Sequence, residues 1–254
     1  MKIEVSLDGA VASVVFERPG VLNAIAPDDL PRLAAALREA GEESRVVIVR
    51  GAGGAFSAGD DLGATADLTR DEWRTVVEGF HDLTRVALAL DVPVIAAIDG
   101  VCVGGAFELA CSCDVRVAST RSLLGCPEVG IGLVVSNAST VLLPRLCGAG
   151  YASELMLTGR LIGAEEALEH GLVNAVVEPG QVEERARALA AEIAGRAPLA
   201  VRATKRLLVD ALLESVEQAM ARETEALVEL CETADMREGF AAFREKRPPS
   251  FTGA

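Results

Sequence analysis

The sequence predicts an α/β fold, and three observations lead to that prediction. Short apolar strand patterns alternate with helix patterns through the first half of the 254-residue chain. From Val182 onward the pattern is helical only. The composition, with 50% apolar and 24% charged residues, is that of a folded chain with a substantial core, and it excludes global disorder.

A β-hairpin pattern begins the chain, and helices and strands then alternate. Residues 2–7 and 11–17 are predicted strands, and Asp8-Gly9 between them is typical of a two-residue hairpin turn. The next predicted elements are, in order, a helix over 28–40 that Gly41 ends, a strand over 45–50, a helix over 71–90, a strand over 92–98, a short helix from about 104 and a strand over 114–118. A last strand is predicted over 172–177.

The charge balance excludes some classes of partner. Lys and Arg number 24 against 38 Asp and Glu, a net charge of −14. Phosphate backbones and anionic membranes attract basic surfaces, so we expect neither nucleic acid nor a membrane as partner. A small anionic ligand held by local cations and backbone N–H groups stays compatible with this charge. No secretion signal or membrane span is recognisable, so a cytoplasmic protein with six reduced cysteines is expected.

Three loop segments carry residues suited to catalysis. The Gly-rich segment 51–63 follows a buried strand, and its consecutive N–H groups can receive an oxyanion. A helix begins near Gly104-Gly105, where free N–H groups carry partial positive charge, and Glu108 lies on its first turn. Glu128 follows a proline in an apolar stretch, where burial would raise its pKa and suit an acid–base role. Each feature alone also fits an ordinary structural role.

These segments together predict one site. Two oxyanion-binding backbone segments and two carboxylates follow strands of one α/β sheet, and ligands bind at the carboxyl ends of such strands. A metal site is not expected, because Cys111, Cys113 and Cys126 lack a zinc spacing. No Ser-His-Asp arrangement competes, since His81 and His170 both occur in helix patterns that favour structural roles.

The ordered set of motifs resembles the crotonase family, the enoyl-CoA hydratase/isomerase superfamily, over nearly the whole chain. The matching segments are Arg18-Pro-Gly-Val-Leu-Asn-Ala, Ala55-Phe-Ser-Ala-Gly-Asp-Asp-Leu, Gly104-Gly-Ala-Phe-Glu-Leu-Ala, Pro127-Glu128, Leu157-Thr-Gly and Met236-Arg-Glu-Gly-Phe. Any one motif is weak, but the ordered set is highly specific. The resemblance implies a spiral of ββα repeats over residues 1–195. A helical region over 196–254 would then assemble homotrimers, often hexamers, and form part of the coenzyme A site.

The resemblance also implies a role for each matching residue. The backbone N–H groups of Asp60 and Gly105 would form the oxyanion hole for a thioester carbonyl. Glu108 would activate water towards C3, and Glu128 would exchange the proton at C2. Coenzyme A is part of the implied acyl-CoA substrate, so no separate cofactor and no metal are expected. Further residues implied to contact substrate or coenzyme A are Arg18, Val21, Leu22, Ser57, Ala58, Asp61, Leu62, Gly104, Phe243 and Lys246.

Hydration of a 2-enoyl-CoA to a 3-hydroxyacyl-CoA, a reaction of fatty acid metabolism, is the activity that the resemblance favours. Isomerases of the family usually need one carboxylate, at the Glu128 position, whereas this chain has both. The alternatives are double-bond isomerisation, decarboxylation or thioester hydrolysis at the same oxyanion hole. A non-catalytic acyl-CoA-binding subunit is a further alternative, for which two retained carboxylates are unnecessary.

Three departures from the family pattern concern the acyl pocket. Ala106 replaces a common third glycine before Glu108. Residues 135–140, Val-Ser-Asn-Ala-Ser-Thr, stand where family hydratases often have a Gly-rich run, so side chains replace open space. Asp60 puts a carboxylate where a small apolar residue is common, and it would repel an anionic thioester if it faced the site. These departures leave acyl specificity, and with it the reaction, open at the level of sequence.

Overall fold

The computed structural model describes residues 1–250, without the side chains at 211–215, 219, 222, 223 and 226. The strands within these residues are β1 (Lys2–Asp8), β2 (Val11–Glu17), β3 (Val46–Gly51), β4 (Val94–Ile98), β5 (Val101–Val103), β6 (Val115–Ser119), β7 (Leu123–Gly125), β8 (Ile162–Gly163) and β9 (Ala175–Val177). The described α-helices are α1 (Leu30–Glu43), α2 (Leu62–Thr65), α3 (Arg70–Ala89), α4 (Gly105–Ser112), α5 (Ser139–Cys147), α6 (Ala149–Thr158), α7 (Ala164–Glu169), α8 (Val182–Ala194), α9 (Pro198–Leu230) and α10 (Ala234–Glu245). Short 3-10 helices span Pro19–Val21, Pro27–Asp29 and Glu128–Ile131.

The main sheet has six strands in the order β1-β2-β3-β4-β6-β9. The predicted hairpin is confirmed, since β1 and β2 are antiparallel and Asp8 pairs with Val11 across the turn. The remaining neighbours are parallel, as shown by the pairs Val47 with Val94 and Val117 with Ala175. Parallel strands need crossover connections, and helices supply most of them here. The α/β prediction is therefore confirmed.

Helices cover both faces of this sheet, which explains why β3 and β4 are almost uninterrupted apolar runs. On one face, Val47, Val49 and Val94 join the large core that includes side chains of α1 and α3. On the other face, a second cluster packs the sheet against α8 and contains Val46, Ile48, Ile95, Ala97, Val117, Val182, Ala186 and Ala190. Burial of each Val, Leu or Ile side chain contributes about 1.5–3 kcal/mol, so these layers fix the edge of the sheet at which the loops emerge.

A second, smaller sheet lies beside the main one in the order β5-β7-β8. Strands β5 and β7 are parallel, and β7 and β8 are antiparallel. The chain passes from β4 into β5 and then into α4, which makes one ββα repeat. The sequence patterns do not reveal these strands, because two or three residues are too few for a period of two to be recognised.

The prediction that Gly41 ends the first helix is wrong. Helix α1 continues to Glu43 and is followed by Ser44 in an extended conformation. A β-carbon on Gly41 would lie 2.5 Å from Leu90 Cδ2, so the glycine serves close packing against the end of α3. A missing side chain is compatible with either role, and the sequence alone does not distinguish them.

The elements that follow Gly195 in the described chain are the helices α9 and α10, and both pack onto the core. Thr224 on α9 lies with its hydroxyl 3.3 Å from the ring of His81 on α3. Met236 and Phe240 of α10 pack with Trp73 of α3.

Within residues 1–250, none of the helices combines the length and the apolar character needed to cross a membrane. The six cysteines all have free thiols, and four of them are buried.

Candidate active site

The Gly-rich loop after β3 contacts the start of α4. The Ser57 N–H donates to the Val101 carbonyl, and the Val103 N–H donates to the Ser57 carbonyl, so the loop runs alongside β5. Gly59, with φ +78°, approaches α4 so closely that a β-carbon would lie 2.5 Å from the Val103 carbonyl oxygen and 3.2 Å from the Gly105 nitrogen. This position requires glycine for both its conformation and its contacts. Two segments far apart in sequence thus meet at one point.

Two backbone N–H groups point into this junction. Gly105 is the first residue of α4, where an N–H group has no partner within the helix. Gly104 before it has φ 61° and ψ −143°, a backbone conformation suited to glycine. Within the described chain, neither Asp60 nor Gly105 donates its N–H to a backbone carbonyl. The pair therefore has the character of an oxyanion hole, with α4 adding the positive end of its dipole.

Glu108 is buried on the first turn of α4, with 1% of its surface exposed. Ser136 binds both of its carboxylate oxygens: the backbone N–H donates to Oε1 over 2.7 Å, and the hydroxyl donates to Oε2 over 2.8 Å. Hydrogen bonds donated to a carboxylate stabilise its ionised form. Glu108 is thus held in a fixed position in a form suited to accept a proton.

Glu128 is also buried but lies in the opposite kind of environment. It begins a 3-10 helix, and neither of its carboxylate oxygens has a hydrogen-bond partner within the described chain. Burial raises its pKa well above the usual value, and the negative charges of Glu108 and Asp60 raise it further. Glu128 therefore favours the protonated form more strongly than an exposed glutamate does.

The Asp60 side chain faces this site as well. Its Oδ2 atom lies 3.0 Å from the position that a β-carbon on Gly105 would occupy, and 4.0 Å from the equivalent position on Gly104. Burial raises the pKa of Asp60 to about 6, while the backbone N–H groups of Asp60 and Gly105 act in the opposite direction. The carboxylate that the sequence places beside the oxyanion hole is thus a third acid of the site.

The segment 135–140 fills the space next to α4 with side chains. Asn137 donates through Nδ2 to the Gly105 carbonyl oxygen over 3.3 Å. Asn137 and Ala138 both have positive φ values, 54° and 58°. Sequence reasoning identified this segment as a departure but missed that Ser136 binds Glu108. The one available signal was a serine, a residue able to donate twice, in a stretch otherwise expected to be glycine-rich.

The residues expected to line the path of coenzyme A differ in exposure, and they lie near the Gly-rich loop that follows β3. Arg18 forms an ion pair with Asp61 at 2.7 Å, and Asp61 also caps α2 by accepting from two of its N–H groups. Val21 and Leu22 expose 42% and 49% of their surfaces. The side chain of Ser57 is fully buried and donates to the Asn23 carbonyl oxygen, so its contribution is to hold the loop.

The remaining expected residues lie around these elements. The Ala58 N–H donates to the Leu22 carbonyl, which ties the two predicted coenzyme A loops together, and Leu62 begins α2. Phe243 is 59% exposed near the end of α10, and Lys246 follows the helix in an exposed position. Helix α10 packs on the 3-10 helix that carries Glu128, since a β-carbon on Gly132 would lie 2.9 Å from the Met236 Cα.

Comparison with known proteins adds independent information. The family model for enoyl-CoA hydratase/isomerase matches residues 6–254. A short-chain-enoyl-CoA hydratase of Clostridium acetobutylicum is 38% identical over 94% of this chain and 93% of that protein. A crotonyl-CoA hydratase of Syntrophomonas wolfei is 34% identical over 95% and 94%, respectively. The crystal structure of an enoyl-CoA hydratase from Mycobacterium avium subsp. paratuberculosis superposes with a TM-score of 0.90, at 29% identity and over 98% of both chains.

Proposed function

Because the chain belongs to the enoyl-CoA hydratase/isomerase family, we propose that it is an enzyme that adds water to a 2-enoyl-CoA and forms a 3-hydroxyacyl-CoA. The observation that carries the proposal is the pair of buried glutamates, one bound by Ser136 and the other without a hydrogen-bond partner in the described chain, beside two N–H groups that donate to no backbone carbonyl there. Glu108 is stabilised as a carboxylate by Ser136, and Glu128 is stabilised as an acid by its surroundings. Such a divergent pair is what general acid–base catalysis requires.

The thioester carbonyl is proposed to bind to the N–H groups of Asp60 and Gly105. When a nucleophile adds to C3, negative charge moves through the conjugated system to the carbonyl oxygen. Two donors that are already oriented stabilise this charge more than the neutral carbonyl of the ground state. Loss of one such donor costs on the order of 3–4 kcal/mol of transition-state stabilisation.

Glu108 is proposed to act as the general base. It would take a proton from water, while the water oxygen forms a bond to C3 and the C2=C3 π electrons shift towards the carbonyl. The two hydrogen bonds from Ser136 hold the carboxylate in one orientation, so less rotational freedom is lost when the water is bound.

Glu128 is proposed to complete the addition by giving its proton to C2 of the enolate. The electron pair returns from the oxygen, the carbonyl reforms, and Glu128 becomes a carboxylate as Glu108 becomes an acid. Proton exchange with solvent then restores the starting state. Coenzyme A is part of the substrate, and the scheme uses only thioester, water and protein groups.

Double-bond isomerisation is the alternative that one observation favours. Both oxygens of Glu108 accept hydrogen bonds from Ser136, so this carboxylate is already engaged. If Glu108 served only to hold Ser136, Glu128 alone would be left to move a proton between C2 and C4. The proposed function requires that Glu108 also binds water through its remaining lone pairs.

The test is the loss of enoyl-thioester absorbance with crotonyl-CoA, for wild type, Glu108→Gln and Glu128→Gln. We expect rapid loss with wild type and a decrease in kcat of at least about 10²-fold for each variant, because both steps of proton transfer are needed. Full activity of Glu108→Gln would contradict the hydratase mechanism. Isomerisation of a 3-enoyl-CoA by that variant would support the alternative.

We further propose that the enzyme assembles as a homotrimer or homohexamer in the cytoplasm and acts in fatty acid metabolism. Leu199, Leu207 and Leu208 on α9 expose 78%, 71% and 66% of their surfaces, which supports a surface that is covered in an assembly. Light scattering coupled to size-exclusion chromatography tests this, and a monomer at micromolar concentration would contradict it.

A further inference from the structure

The Asp60 carboxylate is a charged group inside the site for which the proposed reaction has no use. Only the backbone N–H of this residue is needed for the oxyanion hole. Its Oδ2 atom nevertheless lies beside Gly105, and Glu128 Oε1 is 3.4 Å from the position that a β-carbon on Gly104 would occupy. The two carboxyl groups therefore border the same small space next to the oxyanion hole.

The charged groups around this space are acidic. Within the described chain, the charges that shift the pKa of Glu128 are those of Glu108 and Asp60, and no cation is among them. Arg18, on the neighbouring loop, is engaged by Asp61 at 2.7 Å. Helix α3 contributes the uncharged ring of Phe80 beside Gly105. Asp60 and Glu128 thus place two acidic groups beside the oxyanion hole, and within the described chain no cation is among the groups that shift the pKa of either one.

We propose that Asp60 is a specificity-determining residue that restricts this site to acyl groups without a second negative charge. The inference rests on the proposed function, because it concerns which thioesters reach the oxyanion hole and the two glutamates. It follows from the position of the Asp60 carboxylate beside Gly104 and Gly105 rather than from the reaction itself.

The physical reason is repulsion between like charges in a region that water reaches poorly. A carboxylate on the acyl group would lie close to the negative charge of Asp60, and within the described chain no cation forms an ion pair with Asp60. An uncharged acyl group of the same shape meets no such repulsion. Replacing Asp60 with asparagine removes one negative charge and keeps the size of the side chain and the backbone N–H.

The experiment compares two thioesters of matched shape, 4-carboxybut-2-enoyl-CoA and 5-methylhex-2-enoyl-CoA. They share the thioester and the C2=C3 double bond and differ in a terminal carboxylate against an isopropyl group. The ratio of their kcat/KM values is measured for wild type, Asp60→Asn and Asp8→Asn. The control changes the same charge at Asp8, the last residue of β1, whose side chain is 89% exposed.

At pH 8 we expect wild type and Asp8→Asn to favour the uncharged thioester by at least about tenfold, and Asp60→Asn to reduce this ratio about tenfold. An unchanged ratio in Asp60→Asn would overturn the inference while leaving the proposed hydration intact. If wild type hydrates neither these thioesters nor crotonyl-CoA, the proposed function fails and the inference fails with it.

The pH dependence of the same ratio separates charge from shape. Burial raises the pKa of Asp60 to about 6, so this group loses its charge between pH 8 and pH 5. The titratable group that faces Asp60 across this space is Glu128 from the 3-10 helix, and Glu108 on α4 acts on Glu128 in turn; both glutamates are retained in Asp60→Asn. We expect the wild-type preference to weaken below pH 6 and the preference of Asp60→Asn to change little. Parallel profiles for the two proteins would assign the selectivity to shape and overturn the inference.

Discussion

Glu108 and Glu128 have the same side chain but are held in different ways. Ser136 donates twice to Glu108, whereas both oxygens of Glu128 lack a partner in the described chain. The sequence motifs identified both glutamates and the two N–H donors of Asp60 and Gly105 as candidates. They did not indicate which glutamate is the acid, because that depends on hydrogen bonds from a loop 28 residues away from Glu108.

Ser136→Ala tests the role of Ser136 in positioning Glu108. The variant keeps the backbone N–H but loses the hydroxyl that donates to Oε2 over 2.8 Å. A hydrogen bond to a charged group contributes about 1.5–3 kcal/mol, so we expect kcat to fall at least about tenfold with little change in KM. Ser136→Thr restores a donor and should recover part of kcat.

Ser139→Ala is the matched control, because its buried hydroxyl has no hydrogen-bond partner in the described chain. Steady-state kinetics with crotonyl-CoA measures all three variants. Equal losses in Ser136→Ala and Ser139→Ala, or no recovery in Ser136→Thr, would indicate a packing effect and not a positioning role.

The pH profile of kcat/KM tests the coupling between Asp60 and Glu128. The reaction needs Glu128 protonated, so activity should fall as pH rises through its raised pKa. The charge of Asp60 contributes to that raised pKa. Asp60→Asn removes the charge, and we therefore expect the alkaline limb of the profile to move to lower pH. An alkaline limb that stays in place or moves to higher pH would contradict the expected effect of the Asp60 charge on the pKa of Glu128.

At the scale of elements, the site depends on how closely the loop after β3 approaches the start of α4. The longer strands and helices were predictable, because each shows either a helical apolar period or an apolar strand pattern over five or more residues. Strands β5 and β7 were not, since three residues paired to distant parts of the chain carry no such signal. Yet β5 is the strand that places Gly104 and Gly105 beside the Gly-rich loop.

Gly59→Ala should separate the two halves of the oxyanion hole. Alanine at φ +78° costs about 1–2 kcal/mol, and its β-carbon would collide with the Val103 carbonyl, so the loop must move away from α4. We expect kcat/KM to fall at least about 10²-fold, the loss typical of removing one oxyanion donor. Gly163→Ala is the control, with φ −79° and no atom within 4 Å of the new β-carbon. Comparable activity of the two folded variants would contradict this account.

At the scale of the whole molecule, the sequence predicted the α/β core and the helical end of the chain. Both are encoded by patterns that extend over many residues. The packing of α9 and α10 onto α3 was not predictable, because it depends on contacts between segments more than 140 residues apart. That packing buries His81 between α3 and α9 and links the stability of the fold to pH.

His81 should make the fold less stable in acid. Burial lowers its pKa to about 4, whereas an unfolded histidine titrates near 6.5. Between these values the unfolded chain binds the proton and the folded chain does not, so the contribution to stability falls as pH decreases. From pH 7 to pH 5 we expect the free energy of unfolding of wild type, relative to His81→Gln, to decrease by about 2 kcal/mol. Urea unfolding at the two pH values measures this, and an equal difference at both would be evidence against it.

Isotope labelling tests most directly whether Glu108 and Glu128 together add one water across a C2=C3 bond. Crotonyl-CoA is incubated with the enzyme in ¹⁸O-labelled water, and the products are analysed by mass spectrometry. We expect 3-hydroxybutyryl-CoA with one ¹⁸O atom at C3 from wild type, and almost none of this product from Glu108→Gln. Products without ¹⁸O, together with migration of the double bond to C3, would contradict hydration and assign the site to isomerisation through Glu128.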